Sequence, residues 1–183
     1  MSRPTVKRFV WIAAGTAALA VSAGLAAPTG RATTGVTCGT DRRWAVKTLA
    51  DRPQLLFPSR LATVKWLVTR RPPADRTSTR MPFEFRVFTV VARVTTVQQE
   101  GDADYHLTLR EHGWPMIAES PAPECTAGAK GYYRRLMARV HRVARVCARA
   151  LITGVAFFDT EHGQPGVAPN GIELHPILGF QCL

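Results

Sequence analysis

The 183-residue chain carries 24 Lys and Arg against 13 Asp and Glu, a net charge of +11, and 46% of its residues are hydrophobic. That composition excludes wholesale disorder and fits one domain with a real core plus tails. The positive balance favours polyanions as partners, through a field that salt screens, although a strong preference for arginine over lysine would give the same balance with no ligand in view.

The chain opens like a signal peptide. Arg3, Lys7 and Arg8 precede an uncharged run from Phe9 to Ala27, and small residues follow. Residues 1–32 are therefore expected to direct export, to secretion or the cell envelope. Gly24-Leu25-Ala26 and Gly30-Arg31-Ala32 both offer small residues for cleavage. The alternative is an uncleaved anchor, since the run is 19 residues long, just enough to span a bilayer. Membrane contact is expected only through this segment. Its loss removes Arg31 with the three basic residues before it and no acidic one, so the remainder stays basic.

Residues 33–82 read as a tether and N-terminal extension. Trp44 to Thr48 opens a stretch without clear periodicity, and Ser59 is placed to cap a short helix running to Leu67. Arg70-Arg71-Pro72-Pro73 stops that helix, and a polar linker continues to Arg80. From Phe83 to the end, residues 83–183, the texture predicts the main domain. Phe85, Val87, Phe88, Val90, Val91, Val94 and Val97 mark a long strand. Tyr105–Arg110 and Trp114–Glu119 follow as second and third strands.

Tyr132, Leu136, Val140, Val143 and Cys147 recur at helical spacing within Gly131–Ala148, with arginines on the remaining surface. Leu151–Asp159 and Ile172–Phe180 are the last strands, the latter interrupted by Pro176. The predicted class is mostly β with one main helix (α+β). The order strand-strand-strand-helix-strand-strand is that of the OB-fold, a five-stranded, partly open barrel.

Cys38, Cys125, Cys147 and Cys182 all follow the export segment, so two disulfides are expected. Of three possible pairings, the reach of the chain favours Cys38–Cys182 with Cys125–Cys147, the second bracketing the helix. No CxxC or Cys/His zinc spacing occurs.

Alternation places Asp102, Asp104 and His106 on one face of the second strand, and Glu173 and His175 on one face of the last. The intervening loop adds Asp159, Glu161 and His162, with Asn170-Gly171 as a turn signal. Asp104, His106, Asp159, His162, Glu173 and His175 are thus the candidates for acid–base work or for polarising water on a divalent metal, which His106, His162 and His175 would ligate. The plainer alternative is a hydrogen-bonded network that needs no metal or other cofactor and pins a long loop to the domain.

No HExxH, Gly-x-Ser-x-Gly or phosphate-cradling glycine loop is present. For binding, the candidates are Gln164 and Asn170 in the loop and Arg135, Arg139 and Arg142 on the helix, where a phosphate backbone could run; the same arginines would equally serve as a solvated face.

FFDTEHGQPGVAPNGIELHP, from Phe157 to Pro176, resembles the C-terminal signature FFD-x-x-HGQ-x-G-x-APN-x-IELHP of a family of uncharacterised exported bacterial proteins. Arg43–Thr48 (RWAVKT), Asp102–Leu107 and, more loosely, Glu119–Cys125 are similar to other segments of that family. The resemblance runs from about Arg43 to Phe180 and implies an OB-like barrel without a named substrate. The expected function is an exported module that binds a polyanion or cell-envelope component, nucleic acid included; the alternative is a metal-dependent hydrolase acting on phosphodiesters.

Overall fold

In a computed structural model, residues 36–160 and 163–183 are described. The expected export segment and His162 lie outside the described residues.

The β-branched run after Phe85 forms the strand β2 (Arg86–Gln99), long enough to serve several partners. Its first half pairs antiparallel with β5 (Cys147–Phe158), from Val87↔Val155 to Val94↔Cys147. Its second half pairs antiparallel with β3 (Tyr105–Glu111), which in turn pairs with β4 (Trp114–Ser120). β4 runs parallel to β6 (Ile172–Cys182), and β6 returns antiparallel to β5. The five strands therefore close a hydrogen-bonded ring, with a helix, α3 (Gly131–Val143), between β4 and β5 in sequence. A sixth strand, β1 (Leu56–Leu61), joins the start of β2 in parallel.

Three expectations are corrected. Ser59 caps no helix; it lies within β1, and its hydroxyl accepts from Thr89 Oγ1 at 2.9 Å. The short α2 (Val64–Val68) begins later, with Thr63 Oγ1 accepting from Trp66 N–H. β1 escaped notice because Leu56, Phe57 and Leu61 all expose their side chains, leaving no alternation to read.

α3 is shorter than its apolar spacing suggested, because Ala144 turns to extended backbone (ψ 130) and Cys147 already belongs to β5. The buried stripe is Tyr133, Met137 and Val140, one position away from the expected Tyr132 and Leu136.

The disulfides are Cys38–Cys125 and Cys147–Cys182, with Cα separations of 5.5 and 6.0 Å, in place of the expected pairs. The shortened helix explains the change: Cys147 starts β5 beside the end of β6, where Ala150 is in register with Cys182. Cys38 packs instead with Trp44, Ala103, Ala122 and Cys125.

The main core fills the ring with Val90, Val94, Leu107, Leu109, Met116, Ala118, Ile152, Ile172 and Leu174, closed by Val140 of α3. Burial of this apolar surface is the main force holding the ring, at about 25 cal/mol per Å² removed from water. A second cluster joins Tyr133 and Met137 of α3 to Val87, Val155 and Leu178 and to Leu49, which follows α1 (Trp44–Lys47). Pro176 lacks an N–H, and the β5–β6 register shifts around it, so Leu174 and Ile177 both face the main core.

Candidate functional site

Strand alternation decides what lies on the other side of the ring. Leu107, Ala118 and Leu174 point into the core, so His106, Glu119, Glu173 and His175 share the opposite face of β3, β4 and β6. His106 and Glu119 stand directly opposite each other in the β3–β4 register. All of these side chains are buried: His106 and His175 are 0% exposed, Asp104 1%, Glu173 3% and Glu119 4%.

Glu119 bridges the two histidines. Its Oε1 lies 3.0 Å from His106 Nδ1 and its Oε2 3.0 Å from His175 Nδ1. The second ring nitrogen of His106 faces the Pro165 carbonyl at 3.2 Å, so both nitrogens meet acceptors and the ring makes both bonds only as an imidazolium. Burial opposes that charge, but the Glu119 hydrogen bond and charge outweigh it and raise the His106 pKa.

Gly166 makes the Pro165 contact possible, since a Cβ there would stand 2.6 Å from Thr108 Cγ2 and its φ of +92° suits glycine. His175 Nδ1 also contacts Glu173 Oε1 at 3.1 Å. Its Nε2 lies 3.2 Å from Asp104 Oδ2, an ion pair off the axis of a hydrogen bond. Burial opposes charge on His175 too, yet Asp104, Glu119 and Glu173 together raise its pKa well above the usual range.

The carboxylates divide accordingly. Burial works against charge on Glu119, but the two histidines and then Lys47 hold it well below the carboxylate range. Glu173 is pushed up to about 7, first by burial and then by the neighbouring Glu119. Burial also raises Asp104, against the pull of His175.

α1 supplies the lid over this layer. Lys47 Nζ pairs with Asp159 Oδ2 at 2.9 Å, and its pKa is raised because Glu173, Asp159 and Glu119 outweigh its burial. Arg43 Nη1 donates to the Phe158 carbonyl, and its guanidinium lies 4.3 Å from the centre of the Phe157 ring. Glu84 accepts from Arg43 Nη2 and from the Met81 and Phe158 N–H groups, so its charge is fully hydrogen-bonded.

A cavity of about 400 Å³ reaches this layer from outside. Lys47, Glu119 and Asp159 line it, together with Thr37–Asp41, Glu100, Asp102 and Gln164.

Of the residues expected at a site, Asp104, His106, Glu173, His175 and Asp159 belong to this layer or its lid. Gln164 lines the cavity. Asn170 instead serves the fold: it donates to the Leu67 and Arg70 carbonyls and accepts from Ile172 N–H. Arg135, Arg139 and Arg142 are exposed on α3, far from any buried role.

Sequence reasoning passed over Glu119, Arg43, Lys47 and Glu84. Glu119 could have been found as the position two after Ile117, on the face opposite Met116 and Ala118. Among the described residues, Asp104, Glu119 and His175 form the one group of three whose ligand atoms lie within 4.8 Å of one another. The three-histidine metal site weighed from sequence as an alternative includes His162, outside the described residues.

No protein-family model matches the chain, and no curated protein matches it. Among solved structures it is similar to an asparaginyl-tRNA synthetase from Entamoeba histolytica, at 11% identity over 70% of this chain and 24% of that one, TM-score 0.41. An aspartyl-tRNA synthetase from the same organism is 13% identical over 70% and 26%, TM-score 0.38. An OBody bound to hen egg-white lysozyme is 11% identical over 70% and 96%, TM-score 0.41. The chain spans about a quarter of the length of these synthetases.

Proposed function

We propose that the chain is an exported binding module of OB type that engages a polyanion, with the arginine face of α3 as its docking surface. One observation carries the reading: Arg134, Arg135, Arg139, Arg142, Arg145 and Arg149 are all exposed, and among the described residues none pairs with a carboxylate. Surface arginines commonly neutralise one another's field with nearby acids; here the helix and the start of β5 leave theirs open to a partner.

Tyr132 stands on the same helix and is 57% exposed, available to stack on a base, whereas Tyr133 and Phe158 are buried. The element order from β2 to β6 supports the OB assignment. Export, and membership of the uncharacterised bacterial family, belong to the proposal and rest on the N-terminal segment and the Phe157–Pro176 signature; two disulfides fit an oxidising compartment.

Retention on heparin, single-stranded nucleic acid and an anionic wall polymer, each over a salt series, tests the proposal. Binding that weakens steeply with salt is expected for at least one of them. Reversal of Arg135, Arg139 and Arg142 to Glu should lower the log–log salt slope by about 2–3 on nucleic acid. Retention indifferent to salt, or to the triple reversal, refutes it.

A second reading, a metal-dependent hydrolase, draws on the cavity whose lining includes Glu119, the carboxylate between His106 and His175. Turnover of a phosphodiester that stops on chelation and returns with metal would establish it.

A further inference from the structure

We infer that Asp104, Glu119 and His175 form a binding centre for a first-row divalent transition ion such as Zn²⁺ or Mn²⁺. The three come from different segments, Asp104 from the turn before β3, Glu119 from β4 and His175 from β6, and their ligand atoms lie within 4.8 Å of one another. Their proximity alone would be no more than a charged cluster. The independent observation is Asp104: its side chain is 1% exposed, both carboxylate oxygens are buried, and neither has a hydrogen-bond partner among the described residues.

Burying an acceptor in that state is costly, and His175 Nε2 stands 3.2 Å from Oδ2, likewise without a hydrogen bond among the described residues. A cation about 2.1 Å from each atom would satisfy both, for two ligands of one ion stand about 3 Å apart.

The surroundings suit the assignment. Glu173 Oε1 lies 3.1 Å from His175 Nδ1, the placement of the carboxylate that orients a ligating imidazole from behind. One nitrogen and two carboxylate donors favour Zn²⁺ or Mn²⁺ over Ca²⁺ and Mg²⁺, which take oxygen shells. Three protein ligands leave coordination positions open, and Glu119 lines the cavity of about 400 Å³ through which ion and water would enter. The centre is separate from the arginine face, so it stands or falls independently of polyanion binding.

Equilibrium dialysis of the full-length, oxidised protein against Zn²⁺ and separately Mn²⁺, with atomic emission of the retained metal, gives the first test. About one ion per folded chain is expected, with Mg²⁺ not competing. Asp104→Asn should weaken binding by at least tenfold, and Glu173→Gln by about 10–100-fold as a residue acting through His175.

Because these variants touch a buried layer, paramagnetic broadening by Mn²⁺ in the amide spectrum of the unaltered protein provides a second test. The broadening should be centred on Asp104, Glu119 and His175. A folded protein that retains no metal, an Asp104→Asn variant that binds as well as the parent, or broadening centred on the Asp41, Glu100 and Asp102 rim each overturns the assignment.

Discussion

Arg43 reaches Glu84 across 41 residues of sequence, Nη2 to Oε2 at 2.5 Å, and both side chains are almost sealed from solvent. Because Glu84 also takes the Met81 and Phe158 N–H groups, the pair ties α1 and the entry to β2 to the end of β5. Glu84→Gln leaves Arg43 buried without its counter-charge and should destabilise the fold by about 3–5 kcal/mol in urea titrations. Replacing both residues with apolar ones of similar volume should cost less than the sum of the single changes. A loss below about 1 kcal/mol for Glu84→Gln would show that the pair is not the clamp described.

Asn170 makes three hydrogen bonds to main-chain groups of α2, the turn after it and Ile172. Asn170→Ala removes the bonds to the Leu67 and Arg70 carbonyls and the acceptor of the Ile172 N–H, with an expected loss of about 1–3 kcal/mol. Amide exchange at Ile172 should quicken, while polyanion retention at equal folded fraction stays unchanged. Lost retention in a fully folded variant would return Asn170 to the binding residues.

His141 stacks on Tyr105, ring centres 3.7 Å apart, with a buried Nδ1 that has no hydrogen-bond partner among the described residues. Burial lowers its pKa, against smaller upward pulls from the Ser120 main chain, Glu124 and Asp104. The folded state therefore prefers the neutral ring. Its contribution to stability is complete above the unfolded value near 6.5 and declines as pH falls through the folded pKa. An NMR titration of the His141 ring should give a midpoint below that of the unfolded chain; a higher one contradicts the stacking geometry.

Peptide mapping of the oxidised protein should recover Cys147 joined to Cys182 and Cys38 to Cys125. Cys147→Ser with Cys182→Ser releases the joined ends of β5 and β6 and should cost about 2–5 kcal/mol. Recovery of a Cys125–Cys147 peptide would overturn the strand assignment at Cys147.

Much of the ring was legible from simple patterns: β3 alternates apolar and polar residues, and β2 is dense in β-branched residues. Asp104, His106, Glu173 and His175 could be placed together for the same reason. Glu119 was passed over because it is the last residue of the third strand as predicted, Trp114–Glu119. Arg43 and Lys47 were hidden more deeply, since only tertiary contact with Phe157, Glu84 and Asp159 explains why cations should be buried at the two ends of a four-residue helix. The disulfide pairing failed through a local error, because Val143 to Cys147 fits helical and strand patterns equally well over so short a run.

The bond between Cys38 and Cys125 spans 87 residues, and the Thr37–Asp41 wall of the cavity sits at its early end. During synthesis those wall residues emerge before any strand of the ring, yet their covalent tether cannot close until β4 and the turn after it have been made. The oldest wall of the cavity is thus fastened only by a residue made 87 positions later.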